Sequence, residues 1–287
     1  MKIGILGLGS IGARHAENAR MLGHEVIGHD PRYDVGHTRD EAFSADAIVI
    51  ASPTERHHTD LIDAVYESKP ILIEKPLVAA KQNVFNIIKN IKPTAPVCIG
   101  FMLRFHPYVQ QAKQWIDQGC IGTPLWTSFT IAQKNNKPAY LRDGAINNFA
   151  SHEIDIALYL LGPGEVVCAT AHVTEGNDDM ADFVIEHAIG CRTSIHTDYL
   201  TDPERRGFTI VGSIGAIETD IARKTLKLTG KICSRQTGAP SFDEIYLEEM
   251  RAFIERIETG RDKLADWRAG VAAMEIVLQA RKLSGLP

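Results

Sequence analysis

The sequence has no apolar run approaching the roughly 18 residues needed to cross a bilayer. Its start, Met1-Lys2-Ile3-Gly4-Ile5-Leu6-Gly7, lacks the charged, apolar and small-residue layout of a signal peptide. A membrane role is set aside, and the cytoplasm is the expected location. A basic block is also missing: 31 Lys and Arg stand against 36 Asp and Glu, a net charge of −5. Nothing is dense enough in cations to displace many counterions from nucleic acid, so that partner is excluded too. Cysteine is scarce and odd in number. Cys98, Cys120, Cys168, Cys191 and Cys233 include no pair at C-x-x-C distance, which removes zinc and redox motifs and leaves buried or half-buried thiols. Internal repeats and low-complexity segments are absent. What remains is a chain of 287 residues, 44% hydrophobic and 23% charged, with the composition of a folded protein long enough for two domains.

The first third alternates short β-branched runs with longer amphipathic stretches, the pattern of repeated βαβ units and a parallel sheet. Strands are expected at Lys2–Leu6, Glu25–His29, Ala47–Ala51, Ile71–Glu74 and Val97–Phe101. The third is apolar without alternation, as a strand covered on both faces should be. Helices are expected near Ile11–Leu22, His58–Glu67 and Lys81–Asn90, with an irregular loop around Pro31–His37. Beyond about residue 120 the pattern changes to apolar and polar residues in alternation: Leu125–Ile131, Val166–Val173, Ala181–Ala188, Cys191–Tyr199 and Phe208–Gly212. That implies a mostly antiparallel sheet with one covered face. One helix from about Asn148 to Leu161 interrupts it, and two more, near Glu244–Thr259 and Asp266–Ser284, close the chain. The expected organisation is a doubly wound dinucleotide-binding domain over 1–118 and an α/β domain with a large open sheet over 119–287.

Gly7-Leu8-Gly9-Ser10-Ile11-Gly12 is a G-x-G-x-x-G set between a predicted strand and a predicted helix. Gly7 allows the tight turn, Gly9 lets the backbone approach a pyrophosphate, and Gly12 lets helix and strand pack closely. The amides opening the helix at Ser10 and Ile11 would face the phosphates. Asp30, eighteen residues past Gly12, stands where a carboxylate accepts hydrogen bonds from the adenosine ribose. It would repel a 2′-phosphate, which favours NAD, while Arg32 leaves NADP open. A glycine turn that merely joins strand to helix is the alternative.

The fourth strand ends in Glu74-Lys75-Pro76, placing a lysine at the carboxyl edge of the sheet, where ligands of doubly wound folds bind. Its ammonium is costly to desolvate unless paired, and Glu74 or another carboxylate could be the partner. An ordinary surface lysine in a turn is an equal reading of the tripeptide alone. Further segments follow in order: Ala51-Ser52-Pro53-Thr54 with His57, Gly100-Phe101-Met102-Leu103-Arg104-Phe105-His106-Pro107, Ser151-His152-Glu153-Ile154-Asp155, and Ile210-Val211-Gly212-Ser213-Ile214-Gly215-Ala216. With the glycine turn and Glu74-Lys75-Pro76 they make nearly the whole chain resemble the glucose-fructose oxidoreductase, inositol dehydrogenase and rhizopine-catabolism family of NAD(P)-dependent dehydrogenases.

The resemblance implies a Rossmann domain, then an α/β domain whose open sheet forms a homodimer or homotetramer interface. It places Ser52, Pro53, Thr54, His57 and Glu74 beside the cofactor. Lys75 is implied near the nicotinamide, hydrogen-bonded to the substrate oxygen and stabilising its negative charge as an alcohol becomes a carbonyl. His152 is the implied general base in oxidation and general acid in reduction. One position departs from the family's sugar and inositol dehydrogenases: the aspartate four residues before that histidine, one helical turn away, is here Asn148. An amide can orient a hydroxyl or the imidazole but cannot raise its basicity. Asparagine also stands there in members acting on nucleotide-linked sugar acids. Asp155 is read as capping or packing rather than catalytic, and His57-His58 with Asp60 is not read as a metal site, because adjacent side chains on a helix diverge.

A polar, sugar-like substrate is expected to meet Arg104 from the first domain and Tyr140, Arg142, Asn147 and Asn148 from the second. Lys134, Lys137, Arg104, Arg142 and Arg205-Arg206 could also hold a carboxylate or phosphate, although each one alone is better read as a solvated loop charge. Two other classes stay open. A non-catalytic NAD-binding sensor would have no need of both Lys75 and His152, and a reductase of a non-sugar substrate such as a linear tetrapyrrole is disfavoured by the same pair.

Overall fold

A computed structural model describes residues 1–33, 37–135, 143–174, 177–231 and 233–286. It divides into two compact units, one of residues 1–105 with 240–271 and one of 106–239 with 272–287.

The first unit opens with β1 (Lys2–Leu6), α1 (Ser10–Met21), β2 (Glu25–His29), α2 (Arg39–Phe43), β3 (Ala47–Ile50), α3 (Thr54–Tyr66), β4 (Ile71–Glu74), α4 (Gln82–Ile88) and β5 (Val97–Gly100). All pairings among these five strands are parallel. Each strand is too short to bury much alone, but β3 and β4 are buried along their whole length, as expected where helices cover both faces. The chain leaves β1 for β2 on one side and returns to β3 on the other. That reversal opens a crevice at the carboxyl ends of β1 and β3, where open α/β sheets bind ligands. The unexpected α2 starts in a capping box, with Thr38 accepting from the Glu41 N–H and the Glu41 carboxylate accepting from the Thr38 N–H.

A 3₁₀ turn, Met102–Phe105, leads out of the first unit. The second contains α5 (Pro107–Asp117), β6 (Pro124–Ala132), α6 (Ala145–Asn148), α7 (Ala150–Leu161), β7 (Gly164–Thr174), β8 (Asn177–His187), β9 (Arg192–Asp198), β10 (Arg205–Gly212), β11 (Gly215–Asp220), β12 (Thr225–Gly230) and β13 (Ser234–Thr237). The eight strands form one sheet in the order β13-β12-β11-β10-β6-β9-β8-β7, antiparallel throughout except for β6 against β9. Its covered face is built from alternate residues, including Phe129, Ile131, Phe183, Ile195, Phe208, Ile210, Ile217 and Leu226. Phe129 stacks on Phe208 at a centroid distance of 5.1 Å. The other face leaves Trp126 at 46% exposure and its cross-strand partner Val211 at 36%.

The chain then contributes α8 (Phe242–Thr259) and β14 (Ala265–Asp266) to the first unit, and ends in α9 (Trp267–Leu283). β14 pairs antiparallel with β5 and completes the order β14-β5-β4-β3-β1-β2. α8 supplies Met250, Phe253 and Ile254 to the cluster formed by Ile3, Ile5, Val49 and Leu72. Set beside the expected boundary at 118/119, the compact units place α5 with the second unit and take residues 240–271 into the first.

Candidate active site

The glycine turn follows from packing. Gly7 has φ +88°, and a Cβ there would lie 2.6 Å from the Ala51 carbonyl oxygen; one on Gly12 would lie 1.9 Å from the Gly7 carbonyl oxygen. Gly9 differs. A Cβ on it would meet only the Arg32 guanidinium, at 3.5 Å, so its backbone faces open space. Gly9 caps α1 without a side chain, leaving the first amides of the helix, from Ser10 and Ile11, for an anion. Asp30 is 2% exposed. Its carboxylate accepts from the Leu8 N–H at 2.8 Å, the Arg32 N–H at 3.0 Å, and Arg32 Nε and Nη2 at 3.0 and 2.8 Å. The Arg32 guanidinium foremost, with the two main-chain amides, holds this carboxyl well below the usual carboxylate range against the opposing effect of burial. A cavity of about 190 Å³ is lined by Gly7, Asp30, Arg32, Ser52, Pro53 and Arg56, among others. At its edge the Ser52 hydroxyl donates to Asp60 at 2.7 Å, and Arg39 Nη2 binds Asp60 at 3.0 Å and Asp63 at 2.6 Å. Thr54 opens α3 beside them.

The second group surrounds Lys75, which is half-buried at the end of β4. The Glu74 carboxylate binds His15 Nε2 at 2.8 Å and accepts from the main-chain N–H of Lys75 at 3.2 Å. His57, expected beside the cofactor, is 1% exposed and has both ring nitrogens on main-chain carbonyls: Nδ1 on Pro76 at 2.8 Å and Nε2 on Ser52 at 2.9 Å. Burial pushes its pKa down. Its ring therefore ties the loop after β3 to the turn after β4. Among the described residues, one group of three donors has metal-like proximity, His15, Glu74 and Glu249, all buried, with donor atoms within 4.8 Å of one another.

In the second unit, His152 lies on α7 at 5% exposure. The single helix expected from Asn148 is two: Asn148 ends α6, Phe149 keeps helical dihedrals (φ −79°, ψ −54°) between them, and His152 lies in the first turn of α7. Asn148 Nδ2 donates to the Tyr199 hydroxyl at 3.1 Å, which donates to the Gly144 carbonyl at 3.0 Å. The Ser151 hydroxyl donates to the Asn148 carbonyl at 3.0 Å. α6 is anchored by Asp178, 1% exposed, which accepts from the Ile146 N–H at 2.7 Å and pairs with Arg281 at 3.0 Å. Asn147 and Asp155 are both buried. Arg104 sits half-buried in the 3₁₀ turn of the first unit. Lys137, Tyr140 and Arg142 lie outside the described residues. Arg206, counted among the cations for an anionic ligand, is instead spent on a buried pair with Glu153 at 2.9 Å. His15, Tyr199, Asp178 and Glu249 escaped the sequence reading. His15 alone left a local signal, three residues past Gly12 on the same helix face.

Residues 109–218 match the family model for the GFO/IDH/MocA C-terminal domain. The chain is 32% identical over 200 residues to scyllo-inositol 2-dehydrogenase (NAD(+)) of Bacillus subtilis, a match spanning 60% of this chain and 57% of that protein. It is 26% identical to myo-inositol 2-dehydrogenase of Thermotoga maritima over 98% of this chain and 96% of that one. Its fold is shared with the UDP-N-acetylglucosamine 3-dehydrogenase of Acidithiobacillus ferrooxidans, with a TM-score of 0.83 at 20% identity over 99% and 97% of the two chains. No described helix is long and apolar enough to cross a membrane. The glycine turn, Glu74-Lys75-Pro76 and the helix carrying His152 thus stand on a fold shared with these dehydrogenases, and residues 109–218 are similar to the GFO/IDH/MocA C-terminal domain.

Proposed function

We propose that the protein is an NAD-dependent oxidoreductase that interconverts a secondary alcohol and a ketone on a sugar, polyol or nucleotide-linked sugar. The observation that carries this reading is the fixing of Lys75 from both sides, by Glu74 on its own N–H and by His57 on the carbonyl of Pro76. A lysine held this way at the carboxyl edge of a parallel sheet can place its ammonium with little reorganisation. The inositol dehydrogenases among the relatives support the polyol class, and the NAD(+) in one of their names supports the cofactor.

The residues present fit a dinucleotide. Gly9 leaves its backbone open, the uncapped start of α1 suits the pyrophosphate, and Asp30 suits the ribose hydroxyls. Arg32 occupies both Asp30 oxygens, so one of its contacts yields when the ribose binds. Ser52, Pro53 and Thr54 would border the nucleotide, while His57 and Glu74 would hold their surroundings in shape. Bound NAD supplies the acceptor of a hydride in oxidation and the donor in reduction. In oxidation, Lys75 donates a hydrogen bond to the substrate oxygen and stabilises its developing negative charge. His152 takes the hydroxyl proton and returns it in the reverse direction. Asn148 orients the substrate hydroxyl rather than raising the basicity of His152. Arg104 and, from their place in the sequence, Tyr140 and Arg142 would contact the rest of the substrate. The exposed Trp126 and Val211 on the open sheet face support self-association through that face.

The test is a screen of polyols, sugars, uronic acids and nucleotide sugars with NAD+ or NADH, followed by NADH absorbance. Lys75→Ala and His152→Ala should each lower kcat by about 100-fold or more. Unchanged turnover in both variants would overturn the residue roles, and no turnover with any member of these classes would overturn the reaction.

A further inference from the structure

The proposed chemistry leaves one buried group unused. Glu249, on α8, is 0% exposed, and neither of its carboxylate oxygens has a hydrogen-bond partner among the described residues. It lies beside a second buried carboxylate, Glu74, and an imidazole, His15, which are 7% and 0% exposed. His15 Nδ1 is likewise unpartnered. The carboxyl of Glu74 fits here because β5 carries Gly100 opposite it: a Cβ on Gly100 would lie 3.1 Å from Glu74 Oε1. Two buried carboxylates against one imidazole cannot both remain charged without a cation or a proton.

A metal is the weaker answer. Structural metal sites usually close with four ligands, and among the described residues only three donors are gathered here. Glu74 and His15 are also already joined to each other at 2.8 Å, which takes one potential donor atom from each.

We propose that Glu249 is a neutral carboxylic acid in the folded protein and acts as the positioning residue behind Lys75: with Glu249 uncharged, Glu74 keeps its negative charge and stays fixed between His15 and the Lys75 N–H. The three groups come from separate elements. His15 lies on the helix that opens at the glycine turn, Glu74 precedes Lys75, and Glu249 belongs to the returning helix α8. Other titratable or charged groups on the elements around it are Arg14 on α1, paired with Asp243 at 2.8 Å, Cys98 on β5, Arg104 in the 3₁₀ turn, and Tyr246 on α8, edge-on to His15 at 5.8 Å. None supplies Glu249 with a hydrogen bond. Burial, and then the charge of Glu74, push the Glu249 carboxyl well above the ordinary range.

Protonation is tested without reference to turnover. Infrared difference spectra of the purified protein at neutral pH should show the carbonyl band of a protonated acid that is lost in Glu249→Gln. Stability gives a second reading. An acid whose folded pKa is raised above its unfolded value of about 4.5 favours folding fully below that value, and the contribution is lost as pH rises toward the folded pKa. Relative to Glu249→Gln, the wild type should lose about tenfold in its folding equilibrium per pH unit above ~4.5. Parallel stability curves with no missing band would overturn the neutral acid. So would Zn2+ or Mn2+ retained stoichiometrically by the wild type and lost in Glu249→Gln.

The positioning role rests on the dehydrogenase reading. Glu249→Leu should lower kcat by about tenfold or more with little change in KM for NAD+, and Glu249→Gln should recover most of it. Wild-type kcat in folded Glu249→Leu would overturn that role. Absence of any substrate would overturn the dehydrogenase reading instead and leave the neutral acid to its own two measurements.

Discussion

Asp30 does two jobs with one carboxylate: it clasps the glycine turn through the Leu8 N–H and it pairs with Arg32. Removing it should loosen the turn and release an exposed cation toward the adenosine end. Asp30→Ser should therefore lower the ratio of kcat/KM for NAD over NADP by about tenfold or more, measured with both cofactors on one substrate. The same residue gives an acid-side signature. Its folded pKa is depressed, so its contribution to stability is complete above the unfolded value of about 3.8 and disappears as pH falls from there toward the folded value. Thermal melts from pH 5 downward should fall less steeply in Asp30→Asn than in the wild type. At this scale the sequence was readable where a residue acts through its neighbours in the chain. Asp30 and Arg32 were singled out from their spacing past the glycine turn, and Lys75 from its strand end together with the family resemblance. The enclosure of His57 was not, because the two carbonyls that hold its ring come from Ser52 and Pro76, one of them beyond any helical or strand period. Glu249 gave no sign for the same reason.

Among the elements, α6 shows how short segments depend on distant anchors. Four residues form no stable helix alone, and this one is held by Asp178 at the Ile146 N–H, with Arg281 neutralising the carboxylate. Asp178→Ala would leave the buried Ile146 N–H without its acceptor and should cost about 1–3 kcal/mol in chemical denaturation. Because α6 ends at Asn148, kcat should fall with it. Strands and helices with strong periodicity were placed within a few residues of where they lie. Three kinds were missed. α5 has buried Tyr108, Val109, Ala112 and Trp115 at helical spacing after Pro107 at its first turn, a signal present but masked by reading Gly100–Pro107 only as a motif. β11, β12 and β13 are short and half polar, and they become strands through their ladders to β10. α2 rests on a capping box rather than on an apolar stripe.

The whole molecule depends on a return of the chain that no local pattern announces. The periodicity of residues 244–259 pointed to a helix but not to its destination, since the apolar stripe of α8 would suit either sheet. Its destination is the first unit, where Met250 and Phe253 complete the cluster around Ile3 and Ile5. A fragment of residues 1–118, the expected dinucleotide-binding domain, should therefore be poorly packed. Its near-ultraviolet circular dichroism should be weak and its dye binding high, whereas joining residues 240–271 to residues 1–105 through a short linker should restore a cooperative melt. A well-packed, cooperative 1–118 fragment would show that α8 is dispensable.

The same return sets an order of events on the ribosome. The strands β1 to β5 emerge first, but the segment that seals their apolar cluster is translated only after more than a hundred intervening residues of the other unit. At synthesis rates of about 5–20 residues per second, the nascent first unit spends several seconds or more with Ile3, Ile5 and Leu72 uncovered. That interval is the window in which a holdase would engage the chain.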